Sequence, residues 1–144
     1  MPDNTKPRIL VVDPSASNRA LICECLRQLP DVRTIATGDS EHALQIFKET
    51  RPSLVLLDTT LHGTGGIALT QKIRAWEQSR NEAGISPWTP IVFLSSVTDE
   101  NTLTHGIQAG GDDFLCKPVS EVVLLAKAQA MLRISTRQQE ICEV

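Results

Sequence analysis

Apolar residues fall along this chain in two alternating textures: short unbroken runs, and longer stretches where they recur every three or four positions. The first run, Arg8-Ile9-Leu10-Val11-Val12-Asp13, is rich in β-branched residues and ends in an acid. It reads as a buried strand. From Ser15 or Ser17 to Leu29 the spacing of Leu21, Ile22, Cys25, Leu26 and Leu29 predicts a helix, which Pro30 stops. Val32 to Ala36 predicts a weak second strand. Ala43, Leu44, Ile46 and Phe47 predict a second helix ending before Pro52. Ser53-Leu54-Val55-Leu56-Leu57-Asp58 is the clearest strand, again closed by an acid. A loop with Gly63, Gly65 and Gly66 then leads to a third helix carrying Ile67, Leu69, Ile73 and Trp76.

The pattern weakens and then resumes. Glu77 to Thr89 is polar, with Gly84 and Pro87, and reads as a helix extension followed by a surface loop holding Trp88. Pro90 to Ser95 predicts the fourth strand. A short fourth helix follows to about Ala109, capped by Thr98 or Asp99. Thr102, Thr104 and Gly106 make it marginal on its own. Asp113 to Cys116 predicts a fifth strand, and Ser120 opens a last helix running past Arg133. Five non-alternating apolar strands interleaved with five helices demand cover on both sheet faces. That predicts an α/β fold with a doubly wound, five-stranded parallel sheet and right-handed crossovers. In such sheets functional groups gather beyond the carboxyl ends of the strands. Asp13, Asp58, Ser95 and Lys117 each end a predicted strand, so all four should meet at one edge.

Composition narrows the functions such an edge can serve. The 144 residues suit one domain, with 1–6 a disordered N-terminus, 7–135 the folded unit and 136–144 a tail or linker helix. Fourteen basic against seventeen acidic residues leave a formal charge of −3 with no basic run, so direct nucleic-acid or membrane binding is not expected. Aromatic residues make up 3% of the chain, too few for stacking on single strands. Cys23, Cys25, Cys116 and Cys142 form no C-x-x-C pair and read as free thiols in a reducing cytoplasm. No run is long and apolar enough for a signal peptide or a membrane span.

Two carboxylates and one ammonium in a strand-end crevice can hold Mg²⁺ and offset phosphoryl charge. Asp58 can then attack phosphorus while Ser95 hydrogen-bonds a phosphate oxygen. The blocks Ile9 to Asp13, Leu54 to Asp58, Phe93-Leu94-Ser95-Ser96 and Gly110-Gly111-Asp112-Asp113-Phe114-Leu115-Cys116-Lys117-Pro118, in that order and spacing, resemble the response-regulator receiver family over roughly residues 7–135. The resemblance implies a flavodoxin-like sheet of order 2-1-3-4-5 and a signalling switch rather than an enzyme. It implies that Asp58 accepts phosphate from a sensor histidine kinase or phosphotransfer protein. It implies Mg²⁺ held by Asp13, Asp58 and the Thr60 backbone carbonyl, Lys117 pairing with the acyl phosphate, and Ser95 with Phe114 as the switch pair. Pro118 would follow a cis peptide bond. The output would be a changed surface around the fourth helix, fifth strand and fifth helix. A homodimer through the last helix and a C-terminal effector outside this chain are further expectations.

The chain departs from the family pattern near the acceptor. Pro14 stands where a second acid is usual, so reduced Mg²⁺ affinity is expected. Leu61-His62 and Gly65-Gly66 replace Met-Pro and Asp-Gly, which predicts a mobile glycine-rich loop. His62 reads as a solvated loop histidine, with metal or phosphate contact as the minor alternative. These departures support a second reading, a receiver-like interaction or dimerisation module with weak or absent phosphorylation. The last helix, with Val122 to Ala126 and Ala128 to Ile134, carries a wider apolar stripe than one packed face needs.

Overall fold

A computed structural model describes residues 6–60, 65–80, 87–96 and 100–142, with side chains as far as residue 135. His62, Gly63, Gly84, Thr98 and Asp99 lie outside the described residues, as do the N-terminal five. The elements alternate as the apolar runs require: β1 (Arg8–Val12), α1 (Ala16–Leu26), β2 (Arg33–Thr37), α2 (Ser40–Thr50), β3 (Leu54–Asp58), α3 (Gly65–Ser79), β4 (Ile91–Ser95), α4 (Glu100–Ala109), β5 (Asp113–Cys116) and α5 (Glu121–Cys142). The strands form one parallel sheet of order β2-β1-β3-β4-β5, as expected.

Successive residues of a strand point to opposite faces, and here both faces are covered. Ile9, Val11, Leu54, Leu56, Val92 and Leu94 pack with Ile22 and Leu26 of α1 and Leu124 and Ala128 of α5. Leu10, Val12, Val55, Leu57 and Phe93 pack on the other side with Ala43 and Phe47 of α2 and Leu69 and Ile73 of α3. That two-sided burial is why β1, β3 and β4 carry no polar alternation.

Helix boundaries follow local chemistry. The Ser15 hydroxyl accepts from the Asn18 amide and caps α1, and the Asp39 carboxylate does the same for His42 at α2. α1 stops at Leu26, three residues before the expected Leu29. Gln28 and Leu29 turn back onto the carbonyls of Cys25 and Leu26, so Leu29 still reaches the core from a tight turn. Gly65 and Gly66 were expected in a loop but open α3. A Cβ on Gly66 would lie 2.6 Å from the Asp58 carbonyl oxygen, so only glycine lets α3 start this close to β3.

Candidate functional site

Parallel strands all end at the same edge, and here three of those ends carry the charges. Asp13 follows β1, Asp58 closes β3, and Lys117 follows β5. The Lys117 ammonium donates to Asp13 Oδ2 at 2.8 Å and makes a short contact with Asp58 Oδ2. Asp13 and Asp58 are almost wholly buried. Burial alone would lower the pKa of Lys117, but hydrogen bonds and attraction from both carboxylates outweigh it, and the net shift is upward. The second oxygens are also engaged. Asp13 Oδ1 accepts from the Ser15 amide at 2.9 Å. Asp58 Oδ1 accepts from the Thr60 amide at 2.6 Å and from the Thr60 hydroxyl.

Ser95, at the end of β4, is buried beside this cluster, and the Thr59 hydroxyl donates to its Oγ at 3.3 Å. Phe114 lies one strand further out. Its ring packs on Phe93 at a centroid distance of 5.3 Å and against Gly106 of α4, where a Cβ would come within 3.2 Å of it. The peptide between Lys117 and Pro118 is cis, as the resemblance implied. The edge thus brings together Asp13, Asp58, Ser95 and Lys117, and the side chain of Thr60 joins them.

Within the crevice two carboxylates face one ammonium. Mg²⁺ takes oxygen ligands and typically binds through one or two carboxylates while keeping several waters. Asp13 and Asp58 supply that minimal set. Among the described residues no group of three or more His, Cys, Asp or Glu side chains converges as a metal cluster. The donors therefore fit a largely hydrated Mg²⁺, and Pro14 adds no side-chain ligand beside Asp13.

Two features escaped sequence reasoning. The Arg19 guanidinium donates to the Asp13 carbonyl at 2.6 Å and sits against Gly38, adding positive charge beside the crevice. Its spacing on α1 reads only as a polar helix position. On the sheet's opposite end lies a buried network around Arg74. That side chain donates to Glu77 at 2.7 Å, Asp112 at 2.9 Å, and the carbonyls of Gly110 and Thr89. Glu77 is buried, and burial pushes its carboxyl pKa up while Arg74 and Thr89 offset part of the rise. Trp88 stacks on the Arg74 guanidinium and donates its indole N–H to Asp112 at 3.0 Å, so part of this exposed ring serves the fold.

The doubly wound parallel sheet with its acid–acid–ammonium edge can be compared with known proteins. A family model described as the response regulator receiver domain matches residues 9–129, and the chain belongs to that family. It is 37% identical over 131 residues to the DNA-binding response regulator MtrA of Mycobacterium tuberculosis, covering 91% of this chain and 53% of the relative. It is 31% identical over 140 residues to the transcriptional regulatory protein BaeR of Escherichia coli, covering 96% and 53%. The chain spans about half the length of the curated relatives it matches. The crystal structure of the Vibrio cholerae chemotaxis protein CheY4 shares the fold, with a TM-score of 0.76 at 22% identity over 88% of this chain and 98% of that one. The chain is thus a receiver domain of two-component signalling. No helix among the described residues is long and apolar enough to cross a membrane.

Proposed function

We propose that Asp58 is the phosphoacceptor of a signalling switch, charged by a histidine kinase or a phosphotransfer protein with Mg²⁺ as cofactor. One observation carries this reading: the Lys117 ammonium is seated between the carboxylates of Asp13 and Asp58 at the carboxyl edge of the sheet. In the transfer, a carboxylate oxygen of Asp58 forms a bond to phosphorus as the phosphohistidine P–N bond breaks, and the leaving imidazole takes up a proton. When bound, Mg²⁺ offsets charge on the phosphoryl oxygens, with Asp13, Asp58 and the Thr60 carbonyl as its protein ligands. Lys117 already touches the acceptor and neutralises the product. Ser95 turns its hydroxyl to the phosphoryl group, and Phe114 repacks against β4 and α4. The acyl phosphate carries about 1.5 to 2 negative charges where the carboxylate carried about one, so the product adds up to about one negative charge and new acceptor oxygens at a buried position, which biases α4, β5 and α5 toward a second arrangement. The receiver-like docking module without phosphorylation is not favoured: contact of Lys117 with both Asp13 and Asp58 supports the switch even though Pro14 replaces the second acid.

Relatives named as DNA-binding response regulators support an output relayed to an effector outside this chain. The outward stripe on α5, with Val123 and Ile134 exposed, supports a homodimer as the relay. The test is chemical. Acetyl phosphate with millimolar Mg²⁺ should add one phosphoryl mass to the protein, and Asp58→Ala should abolish it. Labelling that persists in Asp58→Ala, or wild-type protein that takes up no phosphoryl group, defeats the proposal.

A further inference from the structure

Thr59 follows the acceptor directly, and three contacts fix it between β3, β4 and α3. Its amide donates to the Leu94 carbonyl at 3.2 Å. Its Cα lies where a Cβ on Gly66 would approach to 3.2 Å. Its hydroxyl donates to Ser95 Oγ at 3.3 Å. The backbone of Thr59 is thus held against β4 and α3, and its half-buried side chain reaches Ser95. Ser95 is buried, so its hydroxyl exchanges partners within the protein rather than with bulk water.

We infer that the Thr59 hydroxyl is a positioning residue that holds Ser95 in its resting orientation, so that the switch must break this hydrogen bond to fire. The inference rests on the phosphoacceptor reading of Asp58. At 3.3 Å the bond is longer than the 2.5–3.0 Å typical between hydroxyls. Such a weak bond biases the resting state without locking it. Thr59 follows Asp58 just past the end of β3, and Ser95 Oγ, held toward Thr59, must turn away from it to donate its proton to a group arriving on Asp58. An apolar side chain of similar shape at position 59 would leave Ser95 readier to move.

The probe is beryllofluoride with millimolar Mg²⁺, titrated into wild type, Thr59→Val, Thr59→Ala and Thr59→Ser. Removing one neutral hydrogen bond of this kind should tighten beryllofluoride binding by about two- to fivefold in the Val and Ala variants. The Ser variant, which keeps the hydroxyl, should match wild type. Amide resonances of Ser95 and Phe114 in the unliganded Val variant should shift part of the way toward their liganded positions. In a Ser95→Ala background, Thr59→Val should change nothing. Unchanged affinity in both apolar variants, or an equal gain in the Ser95→Ala background, overturns the latch alone. Wild-type protein that does not bind beryllofluoride overturns the phosphoacceptor reading and the latch together.

Discussion

Charge balance at single positions sets what the crevice can bind. Asp13 and Asp58 face one ammonium from Lys117, and Pro14 contributes only a ring where a third carboxylate would strengthen cation binding. Cation affinity in oxygen sites rises with the number of charged ligands. Pro14→Asp is therefore expected to tighten Mg²⁺ binding by about tenfold, a change of ~1.4 kcal/mol. Isothermal titration with MgCl₂ reads this directly, and equal affinities in the two proteins would show that position 14 is not where the missing ligand belongs. Burial sets a second single-residue property. Glu77 is 2% exposed, and desolvation raises its pKa above the ordinary 4.5 despite Arg74 and Thr89. A carboxyl raised in the folded state binds protons more tightly there than in the unfolded chain. Its contribution to stability thus falls as pH rises through the window above 4.5 and is regained on acidification. The melting temperature of wild type minus that of Glu77→Gln should therefore increase as pH is lowered through that window. A difference that shrinks instead would mean that the Arg74 ion pair outweighs the cost of burial.

Elements explain what single positions cannot, and α4 is the clearest case. Thr102, Thr104 and Gly106 make it a poor helix by propensity, which sequence alone reads as weakness. The packing gives Gly106 a reason: a Cβ there would meet the Phe93 ring at 2.9 Å and the Phe114 ring at 3.2 Å. Gly106→Ala gains about 1 kcal/mol of helix propensity. It must also displace an aromatic pair, at a cost of about 1 to 3 kcal/mol. Urea denaturation is expected to show a net loss of stability of about 1 kcal/mol, and a variant more stable than wild type would mean that α4 shifts outward freely. β1, β3 and β4 were legible to within a residue because burial on both faces leaves unbroken apolar runs. The four strand-end residues Asp13, Asp58, Ser95 and Lys117 were legible because parallel strands end together. The Arg74 network was not, since the spacing of Ile73 and Trp76 marks a core face and gives no sign that the arginine between them is buried against Glu77 and Asp112. Nor were the hydroxyl contacts of Thr59 with Ser95 and of Thr60 with Asp58, because a hydroxyl next to an acid has no periodic signature. The early end of α1 was hidden by Leu29, whose burial preserves helical spacing across a turn.

At the scale of the whole molecule, the question is how a charge at the sheet's edge reaches a partner. α5 is the element that faces both ways. Leu124 and Ala128 seal the core beside β3, while Val122, Val123 and Ile134 are exposed at 78%, 42% and 48%. Val123, Ala126, Ala130 and Ile134 recur at spacings of three, four and four, which places them along one side of the helix. Lys127 ties the same helix to β5 through Asp113 at 3.0 Å and the Phe114 carbonyl at 2.9 Å. A rearrangement of Phe114 is thus felt directly by the helix that carries the stripe. If α5 pairs two copies about a twofold axis and the pair favours the liganded arrangement, dimerisation and phosphoryl-mimic binding are linked, and each strengthens the other by the same factor. The affinity of wild type for beryllofluoride should then rise with protein concentration, by about fivefold or more between dilute and concentrated samples. Sedimentation velocity on the same samples should show the shift to dimer. Ile134→Glu places a charge at the C-terminal end of the stripe and should hold the protein monomeric. Its beryllofluoride affinity should then be independent of concentration and equal to that of dilute wild type. A wild-type affinity that ignores concentration would separate the stripe on α5 from the switch, and the relay would have to run through another surface.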